Sequence, residues 1–565
     1  MSSIDGQTVL DDASAPPATA TTERPSAVAV DLAQKSPESV VDCGLPAYTA
    51  AARSALPRLC HFLEEPSHFG GNVRLIRRAA TPETMYRRLS ATSAIGMMLE
   101  HDPAVRGNEL LNDGVRRSLI HWQMSLRCDG RPFHRRAESR RWHAVNADLV
   151  AHLLNETSIF HDAMLLDDVG RHLRWLAAGP RSAPWVEAAL VNAMATGALI
   201  VRDVELLGFA RTRLTALLAG QDEEGWFPER GGADLGRLSF VVDSLARLYA
   251  HHGWQEVLPP IERAIRFLFS FMPPDGRMGG CFNSCGTEFV SPYGLEIMAS
   301  EVPEAATLAS SARQRCTQWI HDRFGHWSDE TVAVMAPRIV AASTAAVRRL
   351  PVGADWPWST NRHFHFPKAG LSVHVSNAYH AVVAARRGGA LHVTWRSGAA
   401  PLVDAGIVVV CAHSTRTSSS GRLRRRPNVS ERSMLCENIL TRGERTHDPV
   451  SDRAGRETGQ MSALDHRGDG PSSIRPAHWS AGRVGDLAYD TSSREIRFDD
   501  ETVTIRDVVR CRLPCQAVIC QLPHAGASDH TTTEREPIYI AGGKQVTIER
   551  RYRGGELVDM QTNGT

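Results

Sequence analysis

The chain has 565 residues, of which 42% are hydrophobic and 22% charged, a composition typical of a soluble globular protein. This length exceeds one ordinary compact core and predicts several domains, or one large repetitive domain with a smaller one. The formal net charge is +1, from 64 basic and 63 acidic residues, which argues against a general nucleic-acid-binding protein.

The first 42 residues predict a disordered tail, because "DDASAPPATATTERPSAVAV" is rich in Pro, Ala and Thr and lacks the apolar run of a signal peptide. No uninterrupted apolar run of about 18 residues occurs, so no membrane span is predicted. The eleven scattered cysteines suit reduced thiols and a cytoplasmic location. The CxxxC pairs Cys281/Cys285 and Cys511/Cys515 lack zinc-finger spacing, so buried thiols are expected and no metal or other cofactor is predicted.

From residue 43 to about residue 350 the hydrophobic pattern has the period of α-helices. The stretch "LSFVVDSLARLYAHHG" places apolar residues at i, i+3, i+4, i+7 and i+10, counted from Leu238. The stretches "IERAIRFLFSFM" and "LTALLAG" behave in the same way. Each of these segments is therefore predicted to be a helix with one apolar face.

Glycine-containing breaks recur along this helical region at steps of 46 to 51 residues, at Gly130, Gly179, Gly225, Gly276 and Gly325. This step fits a hairpin of two helices with two connections, and such hairpins must stack to bury their apolar faces. The long, decorated connections recur at alternate positions and favour a closed ring, an α/α toroid, over an open solenoid. The alternative is an ordinary multi-helix domain whose glycines cap helix ends.

Beyond about residue 351 the period changes to two. The stretch "GLSVHVSNAYHAVVAARRGGALHVTW" alternates, with "RRGG" as a hairpin turn, and "KQVTIERRYRGGELVDMQ" continues the pattern. An antiparallel β-sandwich is predicted over residues 351–565, with an Arg-, Ser- and Gly-rich excursion at about 414–474 that is expected to be mobile. The predicted fold class is multidomain α+β: an N-terminal α/α toroid of helical hairpins followed by an antiparallel β-sandwich.

Three stretches resemble the heparinase II/III-like polysaccharide lyases and their alginate-lyase relatives, over most of residues 60–410. "EEGWFPERGGADLGRLSFVVDSLARLY" is similar to a family loop with an aromatic and a glutamate, followed by a tyrosine that enters the next helix. "WVEAALVNAMATGAL" is similar to a helix that carries an asparagine, often followed by histidine, and "FPKAGLSVHVSNAYHAVVAARRGG" resembles the opening strands of the β-domain. Two positions depart from the family: Arg237 replaces the tyrosine, and Ala193 replaces the histidine.

The resemblance implies cleavage of a uronate-containing glycan by β-elimination. This reaction needs a donor that neutralises the uronate carboxylate, a base that removes the C5 proton, and an acid that protonates the leaving oxygen. Asn192 and Arg237 suit the first role, and Tyr293 and His365 suit the proton transfers. In the β-domain, His363, Tyr379 and His380 are alternatives to His365.

The remaining candidates are expected to bind substrate. Trp226 and Phe227 are predicted to stack on a sugar face, although packing over a helix end is the alternative for both rings. Glu229 is expected to orient Arg237 or to bind sugar hydroxyls, unless it only caps the next helix. Further substrate-binding candidates are Arg230, Asn283 and Glu288.

Alternate connections of stacked hairpins point the same way, and this geometry predicts one cleft where the toroid meets the β-domain. Asn192, Glu229, Arg237 and Tyr293 are expected to line it. The expected partners are a glycan or oligosaccharide substrate and a second copy of the chain in a homodimer. No nucleic acid or membrane is expected as a partner.

Three other functions stay open. The pair Asp167 and Asp168 in "LLDDVG" is compatible with a terpene cyclase or prenyltransferase-like toroid that binds a diphosphate. An inverting glycoside hydrolase on a six-hairpin toroid needs two carboxylates, which Glu229 with Asp234 or Glu288 would supply. A non-catalytic glycan-binding protein is the last alternative, favoured by the missing tyrosine and histidine.

Overall fold

The structure of the chain is a computed structural model. It describes residues 44–64, 81–133, 140–157, 160–229, 232–274, 276, 290–321, 327, 329–346, 351–384, 390–411, 472–474, 492–510, 515–521, 538–540 and 545–564. Outside the described residues lie the predicted tail at 1–42 and the predicted excursion, apart from residues 472–474. Three predicted substrate-binding residues also lie outside them: Arg230, Asn283 and Glu288.

Twelve α-helices form within the described part of the chain between Gly44 and Ala345. In chain order they are α1 Gly44–Glu64, α2 Pro82–His101, α3 Glu109–Met124, α4 Arg140–Glu156, α5 Ala163–Ala177, α6 Pro184–Val201, α7 Val204–Leu218, α8 Leu235–His252, α9 Leu258–Ser270, α10 Tyr293–Met298, α11 Pro303–His321 and α12 Asp329–Ala345. The even-numbered helices form an inner ring, in which each helix contacts the next and α12 contacts α2. The odd-numbered helices pack outside this ring, so the predicted α/α toroid of hairpins is confirmed.

Helix α6 belongs to the inner ring and is buried on almost every side. Its sequence "PWVEAALVNAMATGALIV" is long and apolar enough to cross a membrane, but 72% of it is buried inside the protein. A helix that is hydrophobic all round fits the interior of a large helical domain. In this fold, that interior is the wall shared by α4, α8 and the outer helices α5 and α7.

The predicted glycine breaks are the connections that lead from an outer helix into an inner one. This holds for Gly130, Gly179, Gly225 and Gly276, whereas Gly325 lies outside the described residues. Gly225 shows why glycine is needed: its φ is 102°, and a Cβ atom there would lie 2.3 Å from the carbonyl oxygen of Arg263. Only glycine permits this turn and this close approach to α9.

Two antiparallel sheets follow the helices. Their strands are β1 Arg362–Phe366, β2 Leu371–Val375, β3 Tyr379–Ala384, β4 Ala390–Trp395, β5 Leu402–Cys411, β6 Ser472–Ile474, β7 Ser492–Phe498, β8 Thr502–Arg510, β9 Cys515–Gln521, β10 Ile538–Ile540, β11 Gln545–Arg553 and β12 Glu556–Gly564. The first sheet has the order β1-β2-β3-β4-β5-β9-β10, and the second has the order β12-β11-β8-β7-β6. The predicted antiparallel β-structure is thereby confirmed.

The first sheet is the middle of three layers, between the helices and the second sheet. Alternate side chains of each of its strands point to opposite faces. In β3, Tyr379, Ala381 and Val383 pack in one cluster with side chains of the second sheet. Val382 and Ala384 instead join the core of the helices. Strand β3 is therefore buried at every position, which explains its nearly continuous apolar sequence "YHAVVA".

A buried ion triad joins the two sheets. Arg550 on β11 contacts Asp404 on β5 and Asp507 on β8, with nitrogen–oxygen distances of 2.5 Å in both pairs. All three side chains are almost completely buried. Because the guanidinium neutralises one carboxylate from each sheet, it ties the layers together at this point.

The first sheet reaches the helices through an aromatic contact. The Phe366 ring, at the end of β1, lies 4.8 Å from the ring of Phe267 and 5.2 Å from that of Phe271, measured between centroids. Phe267 is on α9, and Phe271 directly follows that helix. This contact places β1 beside α9 and next to the connection between α7 and α8.

Candidate active site

The connection between α7 and α8 comprises residues 219–234. It contains most of the stretch that resembles the aromatic- and glutamate-containing loop of the lyase family. Trp226 and Phe227 are both buried and belong to the core of the helices. Their rings are not available to a sugar, which corrects the prediction of a stacking surface. Burying a ring of this size contributes about 2 to 3 kcal/mol, and this gain favours packing over exposure.

The same loop is fastened to the first sheet by Glu224. Its carboxylate accepts hydrogen bonds from the backbone N–H groups of Lys368 and Ala369, at 2.8 and 2.9 Å, in the turn between β1 and β2. It also accepts one from the indole N–H of Trp226, at 3.1 Å. Lys368 lies 3.0 Å from the carboxylate of Glu223. The loop and the β1–β2 turn therefore border each other.

Glu229 and Arg237 form a polar pair at the start of α8. Asp234 caps this helix by accepting a hydrogen bond from the backbone N–H of Arg237 at 2.9 Å. The guanidinium of Arg237 then lies 3.4 Å from Glu229 Oε2 and 3.9 Å from Asp234 Oδ2. Its side chain is 23% exposed, and it lies 6.0 Å from the ring centroid of Trp185. The backbone N–H of Trp185 donates to Glu229 Oε1 at 3.1 Å.

The carboxyl group of Glu229 has a pKa close to neutral pH. Burial raises its pKa from 4.5 to about 7, and the nearby charge of Asp234 acts in the same direction. The positive charge of Arg237 and the N–H of Trp185 oppose the increase. A carboxyl group with a pKa near 7 beside a partly exposed guanidinium is suited to general acid–base chemistry.

The Glu229→Gln variant is expected to gain stability over wild type at pH 8, and this gain should be larger at pH 8 than at pH 4. The folded-state pKa of Glu229 exceeds its ordinary value, so its contribution to stability is complete below about pH 4.5 and is lost as the pH rises through about 7. Glutamine imitates the protonated form, and the stability gain over wild type at pH 8 should reach about 3 kcal/mol at most. Chemical denaturation at the two pH values measures it.

The exposed Glu223 provides the control for this experiment. Glu223→Gln should change the unfolding free energy by about 0.5 kcal/mol or less at either pH. If Glu229→Gln and wild type keep the same difference in stability from pH 4 to pH 8, the carboxyl group does not titrate near neutrality.

A second polar cluster lies inside the ring and contains Asn192. The amide of Asn192, on α6, donates to Asp148 on α4 at 2.7 Å, and Asp148 accepts another hydrogen bond from Arg247 on α8, also at 2.7 Å. All three side chains are buried. Asp148 and Arg247 are not among the residues predicted from the sequence, although each is a charged residue within a largely apolar helical stretch, "NADLVAHLL" and "DSLARLYA".

Tyr293 belongs to this second cluster. Its hydroxyl lies 3.5 Å from His251 Nε2, and its ring lies 5.8 Å from the ring of His152. Burial raises the pKa of the phenol above its ordinary value of 10.0, and the positive charge of Arg247 opposes this increase. The Glu156 carboxylate lies 3.8 Å from His152 and 4.0 Å from His251.

Helix α8 separates the two clusters. His251 follows Arg237 by 14 residues on one helix, which at about 1.5 Å per residue is about 21 Å along the axis. Tyr293 contacts this histidine, and the neighbouring Gly294 contacts Asp243, six residues after Arg237. The structure unites Asn192 with Tyr293 and Glu229 with Arg237. That one cleft is lined by all four residues stays a prediction.

His365 lies at the edge of the first sheet, beside the loop of Glu224. It is in β1, and its Nδ1 is 2.9 Å from the hydroxyl of Ser372 in β2. Burial lowers its pKa, and the charge of Glu224 opposes this decrease. His365 is thus close to the α7–α8 connection and is not part of the Tyr293 cluster.

The other β-domain candidates divide between the two faces of the first sheet. Tyr379 packs in the cluster shared with the second sheet. His363 pairs with His374, whose ring stacks 4.5 Å from Phe498 of the second sheet. His380 alternates with Tyr379 and therefore points toward the helices, but it is buried, and burial lowers its pKa to about 3. None of these three side chains lies on an open surface of the ring.

No family model matches the chain, and no curated protein is significantly similar to it. Solved structures do show a similar arrangement. The xanthan lyase of Paenibacillus has 12% sequence identity and a TM-score of 0.46, and the match covers 96% of this chain and 56% of that protein. The chain thus spans little more than half the length of that lyase.

Two further structures are similar over more of their own length. The chondroitin AC lyase of Streptomyces coelicolor A3, in complex with chondroitin sulphate, has 13% identity and a TM-score of 0.48, covering 94% of this chain and 77% of that one. Heparinase III has 11% identity and a TM-score of 0.49, covering 92% of this chain and 81% of that one. At these identities the similarity concerns the fold alone.

Proposed function

We propose that the chain is a lyase-like enzyme that cleaves a uronate-containing glycan by β-elimination, with Arg237 and Glu229 as the reacting groups. One observation supports the proposal most directly. A partly exposed guanidinium, a natural receptor for a carboxylate, stands beside a carboxyl group whose pKa is about 7. β-Elimination needs these two functions side by side.

Arg237 would bind the uronate carboxylate. Its present contacts with Glu229 and Asp234 are long, at 3.4 and 3.9 Å, so its donors are not saturated by short hydrogen bonds. A guanidinium pairs with a carboxylate through two parallel hydrogen bonds. This pairing neutralises the carboxylate, which makes the C5 proton more acidic and stabilises the enediolate that forms when the proton leaves.

Glu229 would carry out the proton transfers. Its carboxylate is next to the guanidinium and hence next to a sugar that binds there. In the reaction it takes the C5 proton, the bond from C4 to the glycosidic oxygen breaks, and a C4=C5 double bond forms. The same proton then passes to the leaving oxygen, so no water is consumed. A pKa near 7 lets one group serve as base and then as acid.

The contacts of Asp234, Asp167 and Asp168 bear on the alternative reactions, whereas Glu288 lies outside the described residues. Asp234, proposed as the second carboxylate of a glycoside hydrolase, is engaged as the cap of α8, where it accepts the backbone N–H of Arg237. Asp167 and Asp168, proposed to bind a diphosphate, are on the outer helix α5 and form ion pairs with Arg171. Neither arrangement favours hydrolysis or diphosphate chemistry over elimination.

Incubation with a panel of uronate oligosaccharides tests the proposal. The ultraviolet absorbance should rise, because β-elimination leaves a double bond conjugated with the uronate carboxylate. New reducing ends without absorbance would favour a glycoside hydrolase instead. Binding without turnover would favour a non-catalytic glycan-binding protein, and turnover of isoprenoid diphosphates would favour a cyclase.

A further inference from the structure

A tryptophan pair stands between the helices and the first sheet, outside both polar clusters. The segment that holds it is fixed to α11, because the backbone N–H of Ala354 donates to the carbonyl of Pro303 at 3.2 Å. The hydroxyl of Thr307 donates to the carbonyl of Ala354 at 2.8 Å. Trp356 and Trp358 follow, and their half-buried rings are stacked 5.4 Å apart at an interplanar angle of 19°. The pair therefore presents a preformed aromatic surface.

Arg396, directly after β4, completes this surface. Its guanidinium donates to the carbonyl of Trp358 and lies 5.9 Å from the centroid of that ring. Burial lowers the pKa of the guanidinium, and no carboxylate of the described ranges forms an ion pair with it. Arg247 and Arg550 are more deeply buried than Arg396, and each is paired with an aspartate. Within the described residues, Arg396 is thus a partly desolvated cation that has no ion-pair partner.

We propose that Trp356, Trp358 and Arg396 form an accessory subsite for an anionic sugar unit of the glycan. Indole rings provide large, flat contact surfaces for the C–H faces of sugars. A guanidinium without a counter-charge favours a carboxylate or a sulfate group. The choice of an acidic glycan as ligand rests on the proposed function.

The subsite is remote from the Glu229–Arg237 pair. It precedes β1, whereas the turn that contacts Glu224 follows β1. The five residues of that strand span about 16 Å. One sugar unit at Arg237 does not reach across this distance, so the subsite would act only on chains of several units.

Calorimetric binding of short and long uronate oligosaccharides tests this proposal. Trp356→Ala and Arg396→Gln should each weaken binding of the long chains roughly tenfold, the usual effect of losing one charged hydrogen bond or one ring contact. Binding of the short chains should stay unchanged. Trp142→Ala is the matched control, since Trp142 is another half-buried indole with an arginine, Arg141, 5.2 Å from its ring.

Wild-type affinity for long chains in both variants would overturn the proposal, and so would absence of any binding of acidic glycans. Melting temperatures equal to wild type exclude unfolding as the cause of weaker binding, and Trp356→Phe should restore most of it. A sulfated oligosaccharide without uronate, tested beside a uronate one without sulfate, identifies the recognised anion. Weaker binding in the variants of a protein that shows no elimination would refute the proposed function and keep the subsite.

Discussion

Arg237→Ala is expected to lower the turnover number on a uronate glycan by about a hundredfold or more. A fixed donor to the charge that develops in the transition state is typically worth that much. Arg237→Lys should recover only part of the rate, because an ammonium group keeps the charge but does not form the two parallel hydrogen bonds. Initial rates of ultraviolet absorbance at saturating substrate measure both effects.

Arg211 provides a matched control for this variant. It also pairs with a glutamate, Glu256, and lies 3.7 Å from the ring centroid of Trp254, but it is on the outer helix α7. Arg211→Ala should therefore leave the rate within about twofold of wild type. An Arg237→Ala enzyme with the wild-type rate would mean that the guanidinium does not touch the reacting sugar.

Arg550→Ala is expected to destabilise the β-domain by about 3 to 5 kcal/mol. The substitution leaves Asp404 and Asp507 buried without their shared cation, and removing one partner of a buried ion network has this cost. Hydrogen exchange of peptides from β8 and β11 measures the effect in the part of the chain where it arises. The protection of these peptides should fall, while peptides from α4 and α6 should keep theirs.

Two further variants separate the charge from the packing. Arg553→Ala, three residues along β11, removes an exposed ion pair with Glu501 and should change stability by about 1 kcal/mol or less. Replacing Arg550, Asp404 and Asp507 together with apolar residues of similar size should be far less damaging than Arg550→Ala alone. Wild-type protection in the Arg550→Ala protein would contradict the view that the triad holds the sheets together.

The fold could be predicted because the sequence repeats its glycine-containing breaks and its hydrophobic residues with regular periods. The steps between Gly130, Gly179, Gly225 and Gly276 correspond to whole hairpins, and a hairpin buries its apolar face only against a neighbour. The change to period two marks the strands in the same way. The period of two does not indicate which face of a strand meets the helices and which meets the second sheet. Tyr379 and His380 are adjacent in sequence and point to different layers.

The site was harder to predict, because the spacing between connections in the sequence does not show at which level of the ring each inner helix begins. The backbone N–H of Gly294 donates to Asp243 at 2.7 Å, which is nine residues into α8. Helix α10 therefore begins about halfway along its neighbour, at a level about 9 Å farther along α8 than Arg237, although Tyr293 and Arg237 follow connections of the same kind. Trp226 and Phe227 left two interpretations open, because a loop aromatic that packs and one that binds a sugar look alike in a sequence.

The masses of the products test the central claim most directly. After cleavage of a defined uronate oligosaccharide, the masses of the two fragments should add up to the mass of the substrate, and the fragment with the new non-reducing end should carry the double bond. Elimination predicts this sum because no water enters the reaction. Fragments whose summed mass exceeds that of the substrate by one water would show hydrolysis and would contradict the assignment of Arg237 and Glu229 as the reacting groups of a lyase.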